Sequence, residues 1–210
     1  MNAPRQKREL GRTHAERRRD AESSILQAAL KIIATRGLDQ LTLAEAGEIA
    51  GYSRALPAHY FGNREALIVA VAEQVVQSHR RRFISQELAG GPKGLELLLS
   101  AVAFYIDDSR RSPARLRGFY EVLNAALKRP SIAPAIAKLN EESAAAFERQ
   151  MREAIALGEV RPDVDPRSQA VMLMSLLRGI MSQWLVAPKT IDLDQVRDEL
   201  LVTLRRSWTP

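Results

Sequence analysis

The sequence predicts an all-α protein. Three observations carry that expectation: apolar residues recur at helical spacing along most of the chain, no stretch alternates polar and apolar residues between hairpin turns, and capping residues or Gly and Pro breakers fall at helix-length intervals. With 46% of its 210 residues hydrophobic, the chain has enough apolar surface to bury a core.

The first strong helix is predicted from about Glu16 to Arg36, because Ile25, Ala29, Ile32 and Ile33 share one face and Gly37 stands where a C-terminal cap belongs. Thr42-Leu43-Ala44-Glu45 has the spacing of a reciprocal capping box, which opens a short second helix reaching Ala50. In Gly51-Tyr52-Ser53 the glycine can take a left-handed turn, and Ser53 can cap a third helix running to about Tyr60. Asn63 caps a long helix from Arg64 to about Ser85, which Ala89-Gly90-Gly91-Pro92 breaks. Further helices are expected at about 94–109, 113–128, 134–158, 166–186 and 193–207, with breakers such as Arg129-Pro130, Gly158 and Arg161-Pro162-Asp163 between them. Residues 170–187 are about long enough to span a bilayer, but Arg178 and Gln183 interrupt them, so this segment reads as a buried helix and no membrane is expected.

Composition narrows the function classes. With no cysteine there is no disulfide framework, no thiolate metal site and no cysteine nucleophile, and the cytoplasm is the expected compartment. The N-terminus has basic residues with no apolar stretch behind them, so it does not read as a secretory signal. His14, His59 and His79 lack metal-ligand spacing, no Gly-x-Ser-x-Gly elbow is present, and Gly90-Gly91-Pro92-Lys93-Gly94 lacks the spacing of a phosphate loop. Neither catalysis, nor a metal, nor a cofactor is expected. Asp107-Asp108 and Glu141-Glu142 are adjacent pairs that diverge around a helix and read as solvated surface. Net charge is +6, and residues 1–19 hold seven basic against two acidic side chains, so +5 of it lies in an N-terminal arm of the kind that accompanies nucleic acid.

Residues 41–67, LTLAEAGEIAGYSRALPAHYFGNREAL, combine a capped short helix, an Ala-Gly-aromatic-Ser turn, a second short helix ending in His59-Tyr60-Phe61, and Asn63-Arg64-Glu65-Ala66-Leu67 opening the next helix. This block resembles the helix-turn-helix of the TetR family of bacterial regulators. Gly158 to Pro166, leading into an apolar helix ending Gln183-Trp184-Leu185, also looks like that family, and the resemblance covers nearly the whole chain. It implies a basic arm at 1–15, a three-helix DNA-binding domain at 16–67 and a larger helical ligand-sensing and dimerisation domain at 68–210, the boundary falling in the long helix. It also implies a sequence-specific regulator, taken as a repressor, whose affinity for double-stranded DNA at a palindromic operator falls when a small-molecule effector binds.

A short helix held by its partner can enter the major groove with its N-terminal residues at base edges. Arg54 can then pair bidentately with guanine, Ala55 can touch a thymine methyl, and His59 and Tyr60 can reach phosphate or base edges, with Ser53 beside them. By resemblance, Thr42, Tyr60 and Arg64 match positions that usually hold phosphate. Leu43, Ile49, Phe61 and Leu67 are expected in the core. Two departures stand out: Ala58 replaces a usual aromatic that contacts phosphate, and Pro57 would be the fourth residue of a helix starting at Arg54, where it would distort the first turn.

The later helices carry apolar faces such as Leu95/Leu98/Leu99/Val102/Ile106 and Leu116/Phe119/Tyr120/Leu123/Leu127. Polar, aromatic and methionine side chains interleave them, and Tyr105, Phe119, Tyr120, Leu123, Phe147, Met151 and Met174 are the candidates for an effector pocket between bundle helices. The helix at 167–186 is apolar nearly all round, so a second copy of the chain is expected to cover it, Gly179 permitting close approach and the helix at 193–207 completing a four-helix homodimer interface. A helical protein-interaction module would account for dimer and pocket but leave the motif and the arm unexplained.

Overall fold

The computed structural model describes residues 13–87 and 92–210. Most of the arm and most of the Ala89-Gly90-Gly91-Pro92 breaker lie outside these residues. Among the described residues the regular elements are all helical: α1 (His14–Arg36), a 3-10 turn (Leu38–Gln40), α2 (Leu43–Ile49), α3 (Leu56–Phe61), α4 (Arg64–Glu87), α5 (Gly94–Arg110), α6 (Pro113–Ala125), α7 (Ala133–Ala156), α8 (Pro166–Val186) and α9 (Leu193–Trp208).

Caps explain most of the boundaries. The reciprocal box sits at α1, not at α2: Glu16 N donates to Thr13 Oγ1 at 3.2 Å, and Thr13 N donates to Glu16 Oε2 at 2.7 Å, so α1 begins earlier than expected. At α2 only half of the expected box forms. Glu45 N donates to Thr42 Oγ1 at 3.2 Å, while the Glu45 carboxylate turns away to Arg36 at 2.6 Å and ties α2 to the end of α1. α4 is capped as predicted, with Ala66 N donating to Asn63 Oδ1 at 2.9 Å.

The largest correction concerns α3. Ser53 does not cap it, and Arg54 does not begin it. The helix starts at Leu56 after Ala55, which places Pro57 in the first turn, where its missing N–H has no helical partner to lose. Pro57 is buried against α2, and the approach is close enough that a Cβ on Gly47 would lie 2.6 Å from the Ser53 carbonyl oxygen and 3.0 Å from the Pro57 ring. The proline therefore sets the start of the helix and does not distort it. α6 also ends earlier than expected, at Ala125, which leaves Leu127 85% exposed instead of on the core face.

Among the described residues two hydrophobic cores result. The first joins Ile25, Ile32 and Ile33 of α1, Ala46 of α2 and Leu67, Ile68 and Val71 of α4 to Phe119 and Val122 of α6 and Ile136 and Leu139 of α7. The second joins Leu98, Val102 and Ile106 of α5 to Met151 of α7, Leu173, Leu177 and Met181 of α8, and Leu204 and Trp208 of α9. Helix α6 serves both, since its Leu116 packs on the second. It reaches α1 because residue 118 is glycine: a Cβ there would lie 2.5 Å from Leu30 Cδ1 and 3.1 Å from the Leu30 carbonyl oxygen. The end of α9 is pinned by Trp208, which is fully buried, donates from Nε1 to Gln169 Oε1 at 3.0 Å, and accepts at its carbonyl from Arg161 N at 2.9 Å. Among the described residues no helix is long and apolar enough to cross a membrane.

Candidate nucleic-acid interface and bundle core

The turn between α2 and α3 is closed by backbone hydrogen bonds. Tyr52 N donates to the Gly47 carbonyl at 2.9 Å, Gly51 N to Glu48 O at 3.0 Å, and Leu56 N to Ser53 O at 3.2 Å, with Gly51 at φ +80° where a side chain would be strained. Gly62, at φ +76°, ends α3 and turns the chain into α4. Thr42, Ser53, Arg54, Ala55 and His59 all lie exposed, and Tyr60 is half-buried beside His59, their rings 5.5 Å apart.

Arg54 and Arg18, both exposed, are held by carboxylates. Arg54 donates from Nη1 to Glu48 Oε1 at 2.5 Å. Arg18, near the start of α1, donates from Nε to Glu22 Oε1 at 2.8 Å, and its guanidinium lies 5.3 Å from the Tyr60 ring centroid, within cation–π range. Hydrogen bonding to Glu22 raises the already high pKa of Arg18.

Arg64, which by resemblance matches a phosphate-holding position, has its guanidinium on backbone carbonyls. Its Nε donates to the Leu41 carbonyl at 2.8 Å and its Nη2 to the Leu38 carbonyl at 2.6 Å, with Asp39 3.8 Å away. The guanidinium is thus turned inward, satisfying carbonyls of the segment between α1 and α2. Ile49, expected in the core, is 49% exposed, and Tyr52 beside it is 37% exposed. A seven-residue helix is too short for periodicity to say which side its last residue faces. Glu48 carried no motif signal, and its role depends on a partner six residues away.

The seven pocket candidates do not form one group. Phe119 and Leu123 pack on the first core; Tyr105, Tyr120, Phe147 and Met151 pack on the second; Met174 is half-buried and belongs to neither. The split runs along one apolar face of α6, where the Phe119 and Tyr120 rings lie 6.2 Å apart and pack on different cores. The Tyr120 hydroxyl donates to the Arg178 carbonyl at 2.8 Å, and the Arg178 guanidinium donates from Nη2 to Asn140 Oδ1 at 2.8 Å. The buried Tyr105 hydroxyl makes no hydrogen bond of good geometry, although the Tyr120 hydroxyl and Arg178 lie close enough to influence it. Burial raises the pKa of both tyrosines, so both are neutral phenols. Two surface grooves beside α4, of about 480 and 530 Å³, are lined by other residues.

Sequence reasoning missed a buried charge cluster. Asp108 is 4% exposed, not solvated, and accepts from Arg82 Nε at 2.8 Å and Nη2 at 2.6 Å, and from Arg115 Nη2 at 3.1 Å, with His79 Nδ1 3.0 Å away. It links α4, α5 and α6. Burial alone would raise the Asp108 pKa, but hydrogen bonds from Arg82 and His79 and the charge of Arg115 hold it down to about 2. Burial lowers the pKa of His79 despite the adjacent carboxylate. The neighbouring Asp107 points elsewhere, to Arg197 Nη1 at 3.0 Å.

On α8, Val171 (47%), Met172 (55%), Leu176 (45%) and Val186 (86%) are exposed, as is Val202 (42%) on α9. A Cβ added to Gly179 would meet nothing within 4 Å.

This architecture has known counterparts. The chain is 23% identical over 186 residues to the HTH-type transcriptional regulator TtgR of Pseudomonas putida, covering 85% of this chain and 86% of that one. Its fold matches a TetR-family transcriptional regulator from Rhodococcus sp. with a TM-score of 0.82 at 22% identity, over 91% of this chain and 100% of the other. A regulator from Saccharomonospora viridis, solved in complex with choline, matches with a TM-score of 0.75 at 18% identity, over 91% and 99% of the two chains. Residues 25–71 match the family described as bacterial regulatory proteins, tetR family, and residues 94–207 match the BetI-type transcriptional repressor C-terminal domain. The chain therefore belongs to the TetR family of DNA-binding transcriptional regulators, with a C-terminal domain of the BetI repressor type.

Proposed function

We propose that this chain is a cytoplasmic, homodimeric repressor that reads a palindromic operator with the turn and first residues of α3 and releases it when a small molecule binds in the helical bundle. The observation that carries this reading is the exposed constellation of Ser53, Arg54, Ala55 and His59, flanked by Thr42 on one side and by Tyr60 with Arg18 on the other. In it, Arg54, Ala55 and His59 read base edges, while Thr42, Ser53, Tyr60 and Arg18 hold phosphates. Arg64 is assigned a different task, clamping the α1–α2 segment from within.

The working division is an arm at 1–15, a DNA-binding domain at 16–67 and an effector and dimer domain at 68–210. Exposed apolar side chains on α8 and α9 support a twofold interface between two copies, with Gly179 leaving room for close approach. A dimer suits paired half-sites. The effector region is centred on Tyr105, Tyr120, Phe147 and Met151, where neutral phenols stand among apolar side chains. A largely apolar molecule bearing one polar group fits that chemistry.

The test is a gel shift with duplexes flanking the chain's own gene, in moderate salt, with and without candidate small molecules. A sequence-selective shift reversed by an effector supports the reading. No selective shift favours a protein-interaction module instead. An effector that binds the chain while DNA affinity stays unchanged removes the regulatory part, because coupling between two sites is reciprocal.

A further inference from the structure

Arg54 lies on the turn, not on α3. Because the helix begins at Leu56, no helical geometry fixes the direction of this long and otherwise free side chain. Glu48 supplies that direction from α2, its Oε1 accepting from Nη1 at 2.5 Å. The choice of nitrogen matters: with Nη1 engaged, the fork formed by Nε and Nη2 remains open, and such a fork matches O6 and N7 of guanine. The backbone that carries Glu48 is held in place, since the adjacent Gly47 packs against the Ser53 carbonyl and the Pro57 ring with no room for a Cβ.

A carboxylate on a surface that meets phosphates is unfavourable for binding any DNA. In water this exposed pair contributes little. When DNA displaces the water, the same pair is strengthened by the lower local dielectric and keeps the arginine from turning to a phosphate. We propose that Glu48 is a positioning residue for Arg54: it raises the preference for guanine at one base pair per half-site while lowering affinity for all duplexes. The proposal rests on the reading of Arg54 as a base contact.

The experiment uses the full-length chain and a duplex selected by it from a random library. Dissociation constants are measured for every single-base-pair variant with the unsubstituted chain, Glu48→Gln, Arg54→Ala and the double variant, and circular dichroism verifies helix content. Glu48→Gln is expected to reduce preference by about tenfold at the base pair that Arg54→Ala also flattens, and to tighten binding to unrelated duplexes. The double variant is expected to be no flatter there than Arg54→Ala alone. If Glu48→Gln tightens every duplex equally and keeps the preference, Glu48 is only a solvated carboxylate and the proposal is overturned. It is also overturned if Glu48→Gln alters preference at a different base pair, which would make Glu48 a base reader itself, for instance toward cytosine N4. If Arg54→Ala changes no preference at all, the reading of Arg54 fails and the role of Glu48 falls with it. Flattening by Arg54→Ala alone removes only Glu48.

Discussion

The α2–α3 turn and the α4–α5–α6 junction both bring arginine together with a carboxylate, and they do so in opposite environments. At the turn, Arg54 and Glu48 retain 70% and 47% side-chain exposure, so the pair is weak in water and its arginine can accept a new partner. At the junction, the Asp108 side chain is 5% exposed and three side chains from two other helices converge on it. The difference separates two uses of charge. An exposed pair orients a group for something outside the molecule, whereas a buried cluster fixes helices relative to each other.

The largest effect is expected at the junction. Asp108→Ala would remove the buried carboxylate on which Arg82 and Arg115 converge, and should cost about 3–5 kcal/mol of stability, read as a lower urea midpoint. A cost below about 1 kcal/mol would mean that the cluster is as dispensable as a surface pair, erasing the contrast. The same cluster sets a pH dependence. Both Asp108 and His79 have folded-state pKa values below their usual ones, so the unfolded chain binds more protons and stability falls with acid. Loss should begin below about pH 6.5 through His79 and continue between about pH 4 and the Asp108 value near 2. His79→Gln should abolish the upper limb, which urea midpoints at several pH values can check.

Next in size, Arg54→Ala should weaken binding to the preferred site by about 1–3 kcal/mol and relax preference at one base pair per half-site, with stability unchanged. Measured loss of stability would blur the proposed division between orienting and fixing charges. Arg64→Ala sharpens it from the other side. Unpairing the Leu38 and Leu41 carbonyls should cost about 1–2 kcal/mol of stability, and the slope of log affinity against log salt should stay the same. A reduced slope would restore Arg64 to the phosphate contacts. The smallest effect is expected for Arg18→Gln, which should leave stability nearly unchanged and reduce the salt slope of a dimer by about 2.

Much of this was legible in the sequence because capping and periodicity are local. Asn63 ahead of α4 and the Ile25/Ala29/Ile32/Ile33 face of α1 needed only neighbours within one or two turns. The start of α3 was not legible, because it is decided by Pro57 packing against Gly47, ten residues earlier. Arg64 illustrates the same limit: its motif position is clear, yet carbonyls 23 and 26 residues away capture its guanidinium. Asp108 reads as surface beside Asp107 until helices 26 residues before it and 7 after it bring their arginines inward. The split of the pocket candidates between two cores follows from neighbouring residues on one α6 face meeting different helices, which no single-helix pattern reveals.

The position of the Asp108 cluster along α4 gives it mechanical leverage. His79 lies fifteen residues beyond Arg64 on one continuous helix, a distance of about 22 Å at 1.5 Å rise per residue. If α4 pivots as a rigid rod about the cluster, a tilt of about 5° moves its first turn, and the α3 end joined to it through Gly62 and Asn63, by about 2 Å. Two copies moving oppositely would change the separation of their reading surfaces by about 4 Å, roughly one base-pair step along a duplex whose helical repeat is about 34 Å. Under such a pivot, a rearrangement of a single hydrogen bond at Asp108 would be read at the far end of the rod as a shift of register.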